Sequence, residues 1–189
     1  MDARQLQQRV RDEVQLSASL GVATNKLVAK VASDRDKPGG LTVVQPGQEA
    51  AFLAPLPVRA LWGVGPVTAQ KLAGMGVRTV ADLAQVSETE LEARFGQHGR
   101  AMARKAQGID RRPVVTEHEV KSVSHERTFS RDLGEAEALE AQLQTMSRGV
   151  ARRLRKAEMA AGTVSIKIRY ADFTTLTRQT SLSVPTDEE

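Results

Sequence analysis

The sequence predicts an α+β chain with three successive parts. Residues 163–170 alternate apolar and polar side chains, the period of a β-strand. Gly63 and Gly65 flank a single valine directly before a helical pattern, which is typical of a helix–hairpin–helix. A change to proline- and glycine-rich sequence near residue 46 separates a strand–helix–strand pattern from these helices. We therefore expect parts at 1–46, 47–113 and 121–189, with a linker over 114–120.

Composition limits the class of protein. The 189 residues contain no cysteine, which excludes a disulfide framework and a thiolate metal site. No apolar run approaches the roughly 18 residues of a membrane span, and the N-terminus lacks a signal-peptide pattern. A cytoplasmic location is expected. The net charge of +4 is spread along the chain, so nucleic-acid binding has to be argued from local clusters of cations.

The first part predicts strand–helix–strand after an amphipathic helix over 2–14. A strand is expected over 14–22 and a second over 41–44. Thr24 or Asn25 can cap the helix between them, which should run to about Ser33. A parallel unit of this size cannot form a domain alone, and one helix leaves apolar surface on the three-stranded sheet expected in the third part. Both ends of the chain are therefore expected to belong to incomplete domains.

The hairpin in the second part has the composition of a phosphate-binding site. Gly63 and Gly65 permit a tight turn and close approach of a ligand to the backbone. Pro66 suits the first helical turn, whose N–H groups point outward with the positive end of the helix dipole behind them. Residues 56–62 are predicted to form the short first helix. The alternative is a glycine turn that only joins two helices.

The remaining helices of the second part are predicted from their caps. Thr79 with Asp82, and Ser87 with Glu90, have capping-box spacing, so helices should start near residues 80 and 88. Residues 95–100 resemble a degenerate second hairpin. The basic residues that follow can contact phosphate or form a solvated face: Arg100, Arg104, Lys105, Arg111 and Arg112.

The third part predicts β-α-β-β. Residues 121–129 form the first expected strand, and a long helix follows, with apolar residues at 139, 143, 146, 150 and 154. Strands are expected over 163–170 and 174–184. We expect the helix to cover one face of the sheet.

Three segments resemble Y-family DNA polymerases. Residues 19–34, with Lys37-Pro38-Gly39-Gly40, are similar to the end of the palm; residues 56–72 are similar to the thumb; and residues 121–129 are similar to the start of the little finger. The resemblance implies a partial palm, a helix–hairpin–helix thumb and a partial β-α-β-β little finger.

The resemblance also implies roles for matched positions. Lys37 corresponds to a lysine that contacts the triphosphate of the incoming nucleotide, and Lys30 adds positive charge beside it. Thumb positions that hold the primer strand correspond to Gly63, Val64, Gly65, Val67 and Lys71. Little-finger positions on the template backbone correspond to Ser122, Ser124 and Arg127, with Lys167 and Arg169 on the polar face of a strand.

No catalytic or metal-binding residue is predicted in this chain. In the family, carboxylates in the first half of the palm hold the metal ions, and no segment here matches that half. Mg²⁺ is therefore expected for the complete enzyme only. Asp34 and Asp36 are expected to solvate and cap their loop. A sliding clamp is a partner of the complete enzyme through a C-terminal peptide that has no counterpart here.

Two functions from different classes remain open. The chain can be the DNA-binding portion of a translesion polymerase, which synthesises DNA past damage during repair. The alternative is a stand-alone, non-catalytic DNA-binding accessory module of repair. An RNA-backbone binder is a third possibility, but it leaves the Lys37–Gly40 loop unexplained.

Overall fold

The computed structural model describes residues 2–117 and 119–188. The chain divides into two compact units, Met1–Thr116 and Glu117–Glu189. Within residues 2–117 and 119–188, no helix is long and apolar enough to cross a membrane.

The first unit begins with helix α1 (Ala3–Val14), strand β1 (Leu20–Val22), helix α2 (Lys26–Arg35) and strand β2 (Leu41–Val43). The strands pair in parallel, which is the predicted strand–helix–strand. β1 is shorter than predicted: α1 extends through residue 14, Gln15 is left-handed at φ 57°, and residues 16–19 form no strand. Asn25 caps α2 through the N–H of Val28, as expected.

Short helices complete the first unit. These are α3 (Glu49–Leu53), a 3₁₀ turn (Val58–Ala60), α4 (Pro66–Gly74), α5 (Val80–Gln85), α6 (Glu88–Phe95) and α7 (Gln97–Ala106). The starts of α5 and α6 are confirmed, with Thr79 and Ser87 as caps.

The first helix of the hairpin is reduced to the 3₁₀ turn. The N–H of Val58 donates to the carbonyl of Arg78, and the N–H of Val80 donates to that of Leu56. These bonds join the segment to the start of α5, and Pro57 and Leu61 take extended backbone angles on either side of the turn. Backbone groups committed to a neighbouring segment cannot form a helix.

One hydrophobic cluster runs through the first unit. Val28 and Val31 of α2 belong to the same cluster as Leu72 of α4, Leu91 of α6 and Met102 of α7. The side chain of Asn25 also donates to the carbonyl of Gly108, at 2.9 Å. Residues on both sides of position 46 therefore share a core.

The second unit contains helix α8 (Ala136–Lys156), strand β3 (Ala161–Arg169) and strand β4 (Thr175–Thr186). The two strands pair antiparallel, with Lys167 opposite Thr177. The predicted long helix and the last two strands are confirmed.

The predicted first strand of this unit is wrong, because residues 121–129 form no strand. The guanidinium of Arg153 donates to the carbonyl of Ser124 at 2.7 Å, and that of Arg127 donates to Gln142 at 2.9 Å. Side chains of this segment and of α8 thus make the contacts that a backbone ladder was expected to make.

The expectation that α8 covers the sheet is also not met within the part of the chain that the structure describes. Val164, Ile166 and Ile168, on one face of β3, remain 45%, 42% and 39% exposed. On α8 itself only Ala151 and Leu154 are buried.

Gly99 tests the packing of α6 against α7. A Cβ at Gly99 would lie 1.9 Å from the carbonyl oxygen of Leu91, whereas one at Gly74 would meet nothing within 4 Å. We expect Gly99→Ala to lower the free energy of unfolding by about 1–3 kcal/mol or more. Gly74→Ala should change it by less than about 1 kcal/mol. Urea unfolding followed by the fluorescence of Trp62, the single tryptophan, measures both. Equal stabilities would contradict this packing.

Candidate nucleic-acid interface

The hairpin turn is built around a buried valine. Val64 is buried, and its N–H donates to the carbonyl of Leu61 at 3.0 Å. Gly63 has φ +101°, where side chains other than hydrogen are strained. Gly65 precedes α4 as its N-terminal cap residue, and Pro66 is the first helical residue. The turn thus leads directly into the start of a nine-residue helix.

Backbone donors are available at this helix start. The first bond of α4 runs from the N–H of Ala69 to the carbonyl of Gly65. The N–H groups of Val67 and Thr68 precede it, so they have no acceptor within the helix. A Cβ at Gly65 would meet nothing within 4 Å, which leaves space for a ligand atom beside the backbone. The geometry suits an anion.

Lys71 lies away from the first turn of α4. It occupies the last turn and borders a surface recess with Gly74, Met75, Arg94 and Phe95. Its predicted contact with the primer strand stays a prediction.

A basic cluster borders the hairpin at Trp62. The ammonium of Lys105 donates to the carbonyl of Trp62 at 2.8 Å, and the guanidinium of Arg112 lies 5.1 Å from the centre of the indole ring. Asp110 accepts from Arg112 at 2.7 and 2.8 Å, and its side chain is 4% exposed. Sequence reasoning named the two cations only as part of a basic stretch and missed Trp62 and Asp110. The spacing of Asp110 and Arg112, two residues apart, could have indicated their ion pair.

Electrostatics in this cluster follow from the ion pair. The hydrogen bond from Arg112 lowers the pKa of Asp110, and the same bond raises the pKa of Arg112. Burial lowers the pKa of Lys105, and the positive charge of Arg112 lowers it further. The negative charge of Asp110 opposes this lowering, and the three groups together keep one net positive charge.

Two of the other arginines in the basic stretch are occupied by carboxylates. Arg100 pairs with Glu92 at 2.8 Å and with Glu88 at 3.2 Å, and Arg104 lies 3.6 Å from Glu88. These contacts favour the solvated-face alternative for Arg100 and Arg104.

The predicted nucleotide-binding lysines share one carboxylate. Asp34 pairs with Lys30 and with Lys37, each at 2.5 Å. Hydrogen bonds from Lys30 and then Lys37 lower the pKa of Asp34. Asp34 thus brings together the two cations that were predicted to act together, one from α2 and one from the loop after it.

The residues described here do not fit a Mg²⁺ ion. Asp34 is engaged by two lysines, and Asp36 accepts from the hydroxyl of Thr42 at 2.8 Å. Among the described residues, 2–117 and 119–188, no three or more acidic or histidine side chains lie close enough together to hold a metal ion.

In the second unit, one face of the β3–β4 pair is polar and basic. Lys167 lies opposite Thr177, and Arg169 lies opposite Thr175. Ser165 lies opposite Gln179 on the same face. Neither strand contains an aspartate or glutamate. Cations and hydroxyl groups without carboxylates are the groups that contact a nucleic-acid backbone.

Ser122, Ser124 and Arg127 do not belong to this face. They precede α8 in a segment without strand structure. The guanidinium of Arg127 is bound to Gln142 and lies 5.5 Å from the ring centre of Phe129. The predicted contact of Ser122, Ser124 and Arg127 with the template backbone stays a prediction, as does that of Lys167 and Arg169.

Comparison with known families matches three stretches of the chain. Residues 2–34 match the impB/mucB/samB family, residues 59–110 match the thumb domain of DNA polymerase-iota, and residues 120–189 match the C-terminal domain of the impB/mucB/samB family. The chain is also 42% identical over 186 residues to DNA polymerase IV of Desulfatibacillum aliphaticivorans, covering 98% of this chain and 47% of that protein.

The chain thus resembles the Y-family DNA polymerases over nearly its whole length. It is 44% identical over 176 residues to DNA polymerase IV of Xanthomonas campestris pv. campestris strain 8004, with 93% of this chain and 49% of that protein covered. It spans about half the length of the relatives it matches.

Solved structures show the same fold. A Y-family polymerase chimera matches 97% of this chain and 52% of its own with a TM-score of 0.78 at 24% identity. DinB from Sulfolobus solfataricus matches 97% of this chain and 53% of its own with a TM-score of 0.56 at 22% identity. The predicted fold class, a partial palm, a thumb and a partial little finger, is thus confirmed.

The ion pair at Asp110 predicts a pH-dependent stability. Asp110→Asn should lower the free energy of unfolding at pH 7 by about 1–3 kcal/mol, because a charged hydrogen bond is lost. Since the folded pKa lies below the unfolded value of about 3.9, this contribution is complete above that pH and is lost as the pH falls through the folded pKa.

The difference between wild type and Asp110→Asn should therefore shrink between pH 5 and pH 2 in urea unfolding followed by Trp62. Asp12→Asn, on the surface of α1, is the control and should show a small difference throughout. A difference for Asp110→Asn that is independent of pH would contradict the role of this ion pair.

Proposed function

We propose that this chain is the DNA-binding portion of a translesion polymerase of the DNA polymerase IV type, acting on damaged DNA in the cytoplasm. The proposal rests on the hairpin at Gly63–Gly65, which leads into the start of α4, where the N–H groups of Val67 and Thr68 have no acceptor within the helix. Backbone donors at a helix start bind phosphate without reading base sequence. That property suits an enzyme that has to hold any primer strand.

Each unit contributes its own surface to this proposal. In the first unit, Gly63, Val64, Gly65 and Val67 present the turn and the helix start to a primer phosphate. In the second unit, Lys167 and Arg169 present a carboxylate-free sheet face to the template backbone. Both surfaces contact backbone groups and thus bind DNA of any sequence.

Lys37 and Lys30 are proposed to meet the triphosphate of the incoming nucleotide. Asp34, near the end of α2, pairs with both side chains and is exposed to solvent. An exposed ion pair contributes only about 0–1 kcal/mol, so a triphosphate of higher charge can replace the carboxylate. The loop thereby presents two ammonium groups at once.

The chemical step is not assigned to residues of this chain. We propose that the carboxylates that hold Mg²⁺, and the peptide that binds a sliding clamp, belong to the complete enzyme. The ions would supply charge stabilisation to phosphoryl transfer there. The contribution of these 189 residues is to bind and orient DNA and nucleotide.

Binding to DNA should be independent of sequence and should weaken with salt. Each phosphate contact contributes a log–log slope of roughly −0.9, so three contacts predict a roughly 40-fold loss of affinity between about 50 and 200 mM salt. Fluorescence anisotropy of labelled primer–template DNA measures this. Affinity that is indifferent to salt would contradict the proposal.

Gly65→Ala separates DNA binding from folding. The added methyl group has space in the protein but occupies the approach of a phosphate to the backbone, so we expect a loss of affinity of about tenfold or more. Unfolding measured by Trp62 should change by less than about 1 kcal/mol. Gly74→Ala is the matched control and should bind DNA as the wild type does. Unchanged binding by Gly65→Ala would remove the hairpin from the interface.

Primer extension tests the division of labour. The purified 189-residue chain, with Mg²⁺, nucleotides and primer–template DNA, is expected to bind DNA without extending the primer. Template-dependent extension by this chain would show that it contains its own metal ligands.

A further inference from the structure

The hairpin has a positively charged neighbour that the family resemblance does not assign. We call it the Trp62 cluster: Trp62, Lys105, Asp110 and Arg112. All four belong to the first unit, and Trp62 is directly followed by Gly63. The indole of Trp62 is 58% exposed.

Lys105 places an ammonium group at the turn itself. Its nitrogen lies 3.3 Å from the position that a Cβ of Gly63 would take, and it donates one hydrogen bond, to the carbonyl of Trp62. An ammonium has three donors. Among the residues that the structure describes, no carboxylate pairs with Lys105, so two of its donors can reach a ligand.

Arg112 is held in a defined position beside it. Asp110 accepts from both Nε and Nη2 of Arg112 and from its backbone N–H, and the guanidinium lies over Trp62. These bonds leave the Nη1 donors of Arg112 for another acceptor. Asp110 offsets only one of the two cations, and the pKa of Lys105 is lowered partly by the charge of Arg112. A bound anion would relieve this repulsion.

We propose that Lys105 and Arg112 bind a second phosphate of the DNA strand held by the hairpin, next to the phosphate at Gly63–Gly65. Trp62 and Asp110 act as positioning residues for the two cations. This inference rests on the proposed function of the hairpin, because its phosphate is the neighbour of one already bound. The site is a continuation of the backbone donors at α4 along the same strand.

Lys105→Gln tests the contact through its salt dependence. Removing one of the two cations at this phosphate should reduce the log–log slope, by at most roughly 0.9, and weaken binding several-fold at about 50 mM salt. Arg9→Gln removes the same charge from α1, where Arg9 pairs with Glu13. It should leave the slope unchanged. Lys105→Arg keeps the charge and should keep the slope near the wild-type value.

The salt slope distinguishes contact from structure. If Lys105 only supports the turn through the carbonyl of Trp62, Lys105→Gln should weaken binding without a change of slope, and that result would overturn the proposal. An affinity and a slope equal to those of the wild type would overturn it as well.

Trp62 supplies an independent reading, because it is the single tryptophan. Addition of primer–template DNA should change its emission in the wild type, and the change should be reduced in Lys105→Gln at saturating DNA. If wild-type protein shows salt-dependent DNA binding by anisotropy but unchanged emission from Trp62, the second phosphate contact is wrong while the hairpin proposal stands. If anisotropy shows no binding by the wild type, both fail.

Discussion

Burial of Val64 between two glycines is the interaction on which the candidate site depends. The side chain lies in the core of the first unit, and Gly63, at φ +101°, allows the backbone to turn directly before it. Because that core also holds α2, α4, α6 and α7, the turn is supported by most of the unit. The open donors at α4 are therefore fixed before any ligand binds, which lowers the entropy lost on binding.

The candidate phosphate-binding cations fall into two groups, those with a carboxylate partner and those without one. Lys30 and Lys37 share Asp34, and Arg100 shares two glutamates, so these cations already have partners. Lys105, in contrast, has no carboxylate partner among the described residues, and the strands with Lys167 and Arg169 contain no acidic residue. Net charge thus says little about where a polyanion binds. The local balance of cations and carboxylates does, since an occupied cation has to give up a partner first.

The second unit shows which elements the local sequence pattern can predict and which it cannot. The alternation over 163–170 predicted β3, and the heptad-like spacing from 139 to 154 predicted α8, because both periods are set by the geometry of a single element. The strand over 121–129 was wrong since a strand needs a partner, and Arg153 and Gln142 of α8 meet this segment instead. Whether a single helix or strand can form is decided by residues close in sequence, whereas which segments pair is decided by residues far apart in the sequence.

The sequence alone determined the helix starts at Thr79 and Ser87, the turn at Gly63–Gly65, and the resemblance to Y-family polymerases, and it limited the cap of α2 to Thr24 or Asn25. Each depends on residues within a few positions of one another, where caps, glycines and motifs act. Only the tertiary structure decided that Asp34 holds both Lys30 and Lys37 and that Lys105 reaches the carbonyl of Trp62. It also decided that the first hairpin helix shrinks to a 3₁₀ turn. Contacts between residues 62 and 105 depend on how α7 packs against the core, and no spacing in the chain encodes that distance.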